Sequence, residues 1–421
     1  MMTPEAAWAE AMRFENRANP FPFFDELRRT PVARVHDDLY VVTGYRELRT
    51  LLHDPRLSAD ASRSPLMAKT TAAAAPGDLA VGDAPKQSFI ASDPPDHDRM
   101  RRQVMRHFAP PHSPGLIPGT EPDIQQLCND LLDKVKAKGD NRFDVVDEYA
   151  YPVPVSVICK IMGVPIEDEP RFHTWIFDVL AGVDLSPDAA TEEGRARAEK
   201  GRAAGAAFRQ YLRELIDRYA QEPGRGLISS LLHDDGPDGP MSAEEVVPNA
   251  QLMLVAGHDS TVNTIAHCVL TTLRNPGSLD LLRSRPELIP RAIEETLRLQ
   301  SAVQFFPTRS AAADIEVGGT VIPAGAAVIL LYGAANRDPM RFPNPNQFDP
   351  EREDNQHVGW GGGIHSCVGG PLARLEVNLA FENFIRRVEN PRLVEDPPPY
   401  RRSPMFRGPR HLWVEFDRIT G

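Results

Sequence analysis

Residues 242–274 limit what this chain can fold into more than any other stretch. Ser242 followed by Glu245 has the spacing of a capping box, and a helical pattern runs on to a stop at Asn275-Pro276. The pattern predicts one helix of about 30 residues, roughly 45 Å long at 1.5 Å per residue. Gln251 to Leu273 is the least charged part of the chain, but Gly257, His258, Asp259, Ser260, Thr261 and Asn263 interrupt it. Asp and His at the centre argue against a membrane span, so the helix is expected inside a soluble protein. Gly and Ser/Thr in mid-helix suit a close helix crossing, and they also weaken the hydrogen-bond ladder enough to admit a side chain or water. An acid beside hydroxyls on a buried helix is costly unless it is solvated or used.

Other patterns fill in a mainly α fold with a smaller β portion. Ile124-Leu127-Leu131-Leu132-Val135 and Phe208-Leu212-Leu215-Ile216 follow helical stripes, and Glu287 to Leu299 is amphipathic. Asp93-Pro94-Pro95 reads as a helix start, and helix resumes near Gly370-Pro371 and runs to Val388. Val32 to Thr43 predicts a hairpin around Asp37-Asp38, Asp314 to Leu331 is strand-like but broken by Gly318-Gly319 and Pro323-Ala324-Gly325, and Leu412 to Phe416 reads as a strand. Ser58 to Ser92 is rich in Ala, Ser, Pro and Gly, which predicts a flexible loop. The 40 prolines are spread out, no repeat appears, and no cut point separates two cores, so residues 1–421 are expected to form one domain.

Charge excludes further classes. The 47 basic residues against 59 acidic ones leave −12, with no basic run to bind nucleic acid. Met1 to Arg29 lacks the apolar core of a signal peptide, so a cytoplasmic protein without membrane attachment is expected. Cys128, Cys159 and Cys268 lie on apolar helical stripes and read as reduced core residues, not as a disulfide or zinc framework.

Cys367 is different. It lies in Trp360-Gly361-Gly362-Gly363-Ile364-His365-Ser366-Cys367-Val368-Gly369-Gly370-Pro371, on no apolar stripe and just before a helix. Glycines at 361, 363 and 369 let backbone approach a flat ligand and free amide N–H groups to point at sulfur. A helix start favours a thiolate. A zinc site using His365 and Cys367 would need two more ligands, and none is near. One thiolate without a second cysteine suits a metal taking a single protein ligand, such as haem iron.

The loop at 358–369 resembles the haem-binding loop of the cytochrome P450 family, Phe-x-x-Gly-x-His-x-Cys-x-Gly, with Trp360 in place of Phe. The resemblance implies a P450 fold, in which the long helix lies over haem b and Cys367 ligates its iron from a loop beneath. Glu295-Thr296-Leu297-Arg298 matches the family's Glu-x-x-Arg helix, with Arg352 as the third member of a structural network. His97 and Arg101 match the His-x-x-x-Arg that binds the haem propionates, with Arg309 and His365 as further ligands. Ala256, Gly257, Trp360, Gly361 and Gly369 are implied to lie against the haem. Asp259 and Ser260, with Thr261 beside them, match the acid and hydroxyls that relay protons to dioxygen, although the family pattern has Thr at the Ser260 position.

The resemblance further implies a monooxygenase inserting oxygen into, or oxidatively coupling, a hydrophobic small molecule. Its walls would come from the 58–92 loop, Phe172–Ser186, Val255, Ala256, Ala302 to Phe306 (Phe305 and Phe306 among them), Met405 and Phe406. No flavin-domain or iron–sulfur cysteine pattern is present, so electrons are expected from a ferredoxin or flavodoxin recharged by an NAD(P)H reductase. Arg101, Arg102 and Arg106 are candidates to dock it. A peroxide-driven peroxygenase and a non-catalytic haem-binding or recruitment protein stay open as alternatives.

Overall fold

A computed structural model describes residues 2–66, 87–108, 113, 115–306 and 308–421. The centre of the expected 58–92 loop, residues 67–86, lies outside the described residues. Eight helices carry the argument: α1 (Pro4–Met12), α2 (Phe21–Arg28), α3 (Asp96–Phe108), α4 (Glu169–Gly182), α5 (Glu192–Gln221), α6 (Ala243–Arg274), α7 (Ile289–Gln300) and α8 (Gly370–Arg387).

The capping box of α6 forms as the spacing predicts. Ser242 Oγ accepts from the Glu245 amide at 3.3 Å, and the Glu245 carboxylate accepts from the Ser242 amide at 3.1 Å. Arg99 of α3 also donates to Glu245 at 2.6 Å, tying the two helix starts together. From there α6 runs 32 residues through the largest apolar cluster, packing on α5, on Pro152–Met162, on α7 and on α8. Cys128, Cys159 and Cys268 are buried in this cluster as free thiols. Burial pushes each of the three up to about 12, so they stay protonated.

α4 and α5 form an antiparallel pair whose seam is glycine. A Cβ on Gly201 would sit 3.0 Å from the Asp178 carbonyl oxygen, and one on Gly182 would sit 3.2 Å from the Gly201 Cα. Side chains at these positions would push the helices apart.

The principal sheet joins distant parts of the chain. Strands β1 (Val32–His36), β2 (Leu39–Val42), β3 (Leu57–Ser58), β4 (Arg309–Ala311) and β5 (Ala327–Leu330) stand in the order β1-β2-β5-β4-β3. The predicted hairpin is β1–β2, and β2 pairs in parallel with β5, Leu39 opposite Ala327. Two smaller apolar clusters flank this sheet, one of them packing α1 and α2. The strand-like stretch from Asp314 to Leu331 is broken at the glycines, as expected. Ile315–Val317 and Thr320–Ile322 form a hairpin about Gly318 and Gly319, both at positive φ, before β5 begins. Among the described residues, no helix is long and apolar enough to cross a membrane.

Candidate functional site

The irregular chain before α8 closes into a loop around Cys367. The Cys367 amide donates to the Trp360 carbonyl at 2.9 Å, and the Gly369 and Gly370 amides point at the sulfur. Gly361 and Gly363 hold positive φ, 69° and 62°, and a Cβ on Gly363 would lie 2.1 Å from the Leu52 carbonyl oxygen. Cys367 is the one cysteine of four with substantial accessible surface. Surrounding protein still raises its thiol above the ordinary value, against the pull of the two amides, Arg101 and Arg374. A side chain both accessible and closely surrounded faces a recess.

Four cationic or polar side chains from three segments converge beside that loop. His97 and Arg101 come from α3, Arg309 from β4 and His365 from the loop. The His97 and His365 rings lie 4.4 Å apart. Burial, then the charges of Arg309, His97 and Arg101, hold His365 down to about 2. His97 Nδ1 is engaged by Asp98 at 2.7 Å, and Arg101 donates to the Ser366 carbonyl at 2.7 Å. Three buried atoms in this cluster have no partner: His97 Nε2, Arg309 Nη1 and His365 Nδ1. Buried polar groups are rarely left unsatisfied, and three aimed at one place fit a ligand carrying carboxylates. The site therefore suits haem, with the sulfur for iron and this cluster for the propionates.

On α6, between Met253 and Thr272, only Ala256, Gly257 and Ser260 are less than buried. Leu252, Ala256 and Ser260 form a stripe at four-residue spacing, with Gly257 beside it; Leu252 carries no mark of this in the sequence. Ser260 Oγ donates to the Ala256 carbonyl at 2.8 Å, and Thr261, buried, donates weakly to Gly257 at 3.4 Å. Asp259 is 1% exposed and is not a free carboxylate. It is ion-paired with Arg401, and Asn263 Nδ2 donates to its other oxygen at 3.3 Å. Nothing local in the sequence announces Arg401, which lies 142 residues away.

The two expected wall segments after α7 and near the C-terminus are zipped together. The Gln304 amide donates to Met405 at 2.7 Å and the Arg407 amide to Ala302 at 2.8 Å; the Phe306 and Phe406 rings lie 5.7 Å apart. Val303, Phe306 and Met405 are half-buried, whereas Ala302 and Phe406 are buried. Val255 is buried in the main apolar cluster, as Phe406 is, and Phe305 packs on Trp8, 6.1 Å between rings, on the side of the chain that faces α1.

Beneath the loop, Glu295 accepts from Arg298 at 2.8 Å on each oxygen and from Arg352 at 3.1 Å. Arg298 also donates to the Asn336 and Pro345 carbonyls, pinning the irregular chain to α7. A second network was not foreseen. Glu294 accepts from Trp360 Nε1 at 2.9 Å, His357 Nε2 at 2.9 Å and Arg374 Nε at 2.7 Å, and the Arg374 guanidinium stacks 4.4 Å over the indole. Two expected docking residues are already engaged: Arg102 pairs with Asp238, and Arg106 with Asp234 and Asp235. Acidic residues brought in by the 233–239 turn neutralise them.

Comparison with known proteins points to one family. The family model described as Cytochrome P450 matches residues 57–284 and 282–411. Cytochrome P450 107B1 of Saccharopolyspora erythraea is 36% identical over 397 residues, covering 93% of each chain. The 6-deoxyerythronolide B hydroxylase of the same organism is 34% identical, covering 94% of this chain and 95% of its own. The ligand-free crystal structure of Mycobacterium smegmatis CYP164A2 is 35% identical and superposes with a TM-score of 0.86, covering 98% of this chain and 100% of that one.

Proposed function

The chain belongs to the cytochrome P450 family and is a haem-thiolate monooxygenase acting on small molecules; from that premise we propose that Cys367 is the axial ligand, that His97, Arg101, Arg309 and His365 hold the propionates, and that Asp259 and Ser260 move protons for a reaction on an apolar substrate. The observation that carries this reading is the set of buried, unpartnered atoms on His97, Arg309 and His365 beside the one accessible cysteine. Bound haem supplies dioxygen activation, and thiolate ligation favours O–O cleavage.

This chain's own residues do the rest. The Gly369 and Gly370 amides and the Trp360 carbonyl fix the sulfur and its backbone. Ala256 keeps a small side chain on the half-buried face of α6, while Gly257 lets Ile158 pack closely on the helix, where a Cβ would come within 2.9 Å of its Cδ1. Ser260 reaches into the recess once its hydroxyl turns from the Ala256 carbonyl, and Asp259 is the adjoining acid. Val303, Phe306, Met405 and Leu252 offer apolar surface, which suits a hydrophobic small molecule. Relatives named for hydroxylating 6-deoxyerythronolide B and vitamin D3 support an apolar substrate of that general kind. Residues 1–421 act as one domain in this reading, since α6 passes through the core that α3, α4, α5, α7 and α8 share.

Electrons come from a separate ferredoxin or flavodoxin docking on the cysteine-loop face. Ile364 and Arg374, both half-exposed on that face, support the placement. The test is Cys367→Ala, with haem content and the carbon monoxide difference spectrum as readouts. Loss of the thiolate-type Soret band is expected, and its survival overturns the assignment. Substrate-dependent NAD(P)H and oxygen consumption with a surrogate ferredoxin separates a monooxygenase from a peroxide-driven enzyme.

A further inference from the structure

Asp259 is held on both oxygens, one by Arg401 of the C-terminal hairpin and the other by Asn263 of α6. Arg401, its side chain 11% exposed, pairs with one carboxylate oxygen. Asn263 donates to the other, and Asn263 is itself pressed by the returning strand of the same hairpin: a Cβ on Gly408 would lie 2.1 Å from Asn263 Oδ1. The hairpin is closed by the Arg401 amide donating to Gly408 at 3.0 Å and by the pairing of Tyr400 with Pro409. Its tip carries Met405 and Phe406, the segment zipped to Ala302–Gln304. Guanidinium and amide N–H are both donors, so the carboxylate they hold acts only as an acceptor and has no proton to pass. Asp259 must part from one of them before it can turn to Ser260 or to a water beside it.

We propose that Arg401 is a positioning residue that holds Asp259 out of the proton relay, so that the rate of proton delivery is set by release of this ion pair. The proposal rests on the relay reading of Asp259 and Ser260. It places on the C-terminal hairpin, not on α6, the control over when the acid is available.

The test uses haem-loaded enzyme without substrate. NAD(P)H and a surrogate ferredoxin with its reductase, all saturating, supply both electrons, and the rate of oxygen consumption is measured in H2O and in D2O. Arg401→Gln should quicken it several-fold and change its solvent isotope effect. Arg401→Lys, which restores a cation, should behave like the parent. Adding Asp259→Asn to the Gln variant should abolish the acceleration, a result a merely structural role for Arg401 would not give. An Arg401→Gln variant with full haem content and the parent rate overturns the proposal while leaving the relay intact. If Asp259→Asn alone changes neither rate nor isotope effect, the relay reading fails and the proposal with it. Should Arg401→Gln fail to fold, Asn263→Ala loosens the second oxygen. Faster oxygen consumption there supports the hold on Asp259, and an unchanged rate counts against it.

Discussion

Trp360 stands where the loop motif has Phe, and its extra N–H has found a use. It donates to Glu294, which also accepts from His357 and Arg374. The Gly359 amide donates to His357 Nδ1 at 3.0 Å, so Nε2 carries the proton given to Glu294. Burial would raise the Glu294 carboxyl, but these three donors win and hold it at about 2. A carboxyl held low contributes stability above its ordinary value near 4.5 and loses it as pH falls toward 2. Glu294→Gln should therefore cost about 1–2 kcal/mol at pH 7, discounted for partial exposure, and less at pH 4. Urea midpoints at the two pH values check this. Trp360→Phe should keep haem yet shift the iron reduction potential, because it removes one donor and weakens the cation stack beside the sulfur's own loop. Spectroelectrochemical titration reads the shift, and an unchanged potential would count against it. Trp360 was legible as a departure from a motif. Glu294 was not, since an acid next to Glu295 reads as a solvated residue until the fold brings Trp360 to it.

Elements were legible where their signals are local. The start and end of α6 fall within a residue of the reading because a cap and a proline mark them. Helix α5 showed only its Phe208–Ile216 half. Residues 192–207 are mostly Glu, Arg, Ala and Gly with no apolar stripe, and are helical through the Thr191 cap, alanine propensity and the glycine seam against α4. Within α6, His267 is 1% exposed and neither ring nitrogen has a partner. Burial first, then the charges of Arg407 and Arg274, hold it well below the ordinary histidine value. The unfolded chain thus takes up a proton below about pH 6.5 that the folded one refuses, and stability falls with pH there. His267→Leu should flatten that slope and stabilise by about 1 kcal/mol at pH 5.5 relative to the parent. Denaturation midpoints at pH 7.5 and 5.5 measure both effects.

The whole molecule is stitched by buried arginines across long separations. Arg407 donates to the Arg17 and Ala18 carbonyls and to Gln300, joining the N-terminal segment, α7 and the C-terminal hairpin. The Glu295 network does the same for α7 and the chain leading to Cys367. Glu295→Gln removes the charge facing Arg298 and Arg352, both well buried, and should cost about 3–5 kcal/mol. Low haem content and a lowered thermal midpoint are the expected readouts. The Glu-x-x-Arg spacing and its third member were readable because they recur as a pattern. The parallel pairing of β2 with β5 was not, because neither strand carries any mark of its partner. That pairing has a consequence during synthesis. At roughly 5–20 residues per second, the ~285 residues between Val42 and Ala327 take the ribosome about 15–60 s to make. Through that interval the apolar edge of β2 has no neighbour, and an unpaired edge invites another nascent chain. Yield of soluble protein should therefore rise when translation is slowed less than chaperone supply is raised, since what the early hairpin needs is cover until its partner emerges.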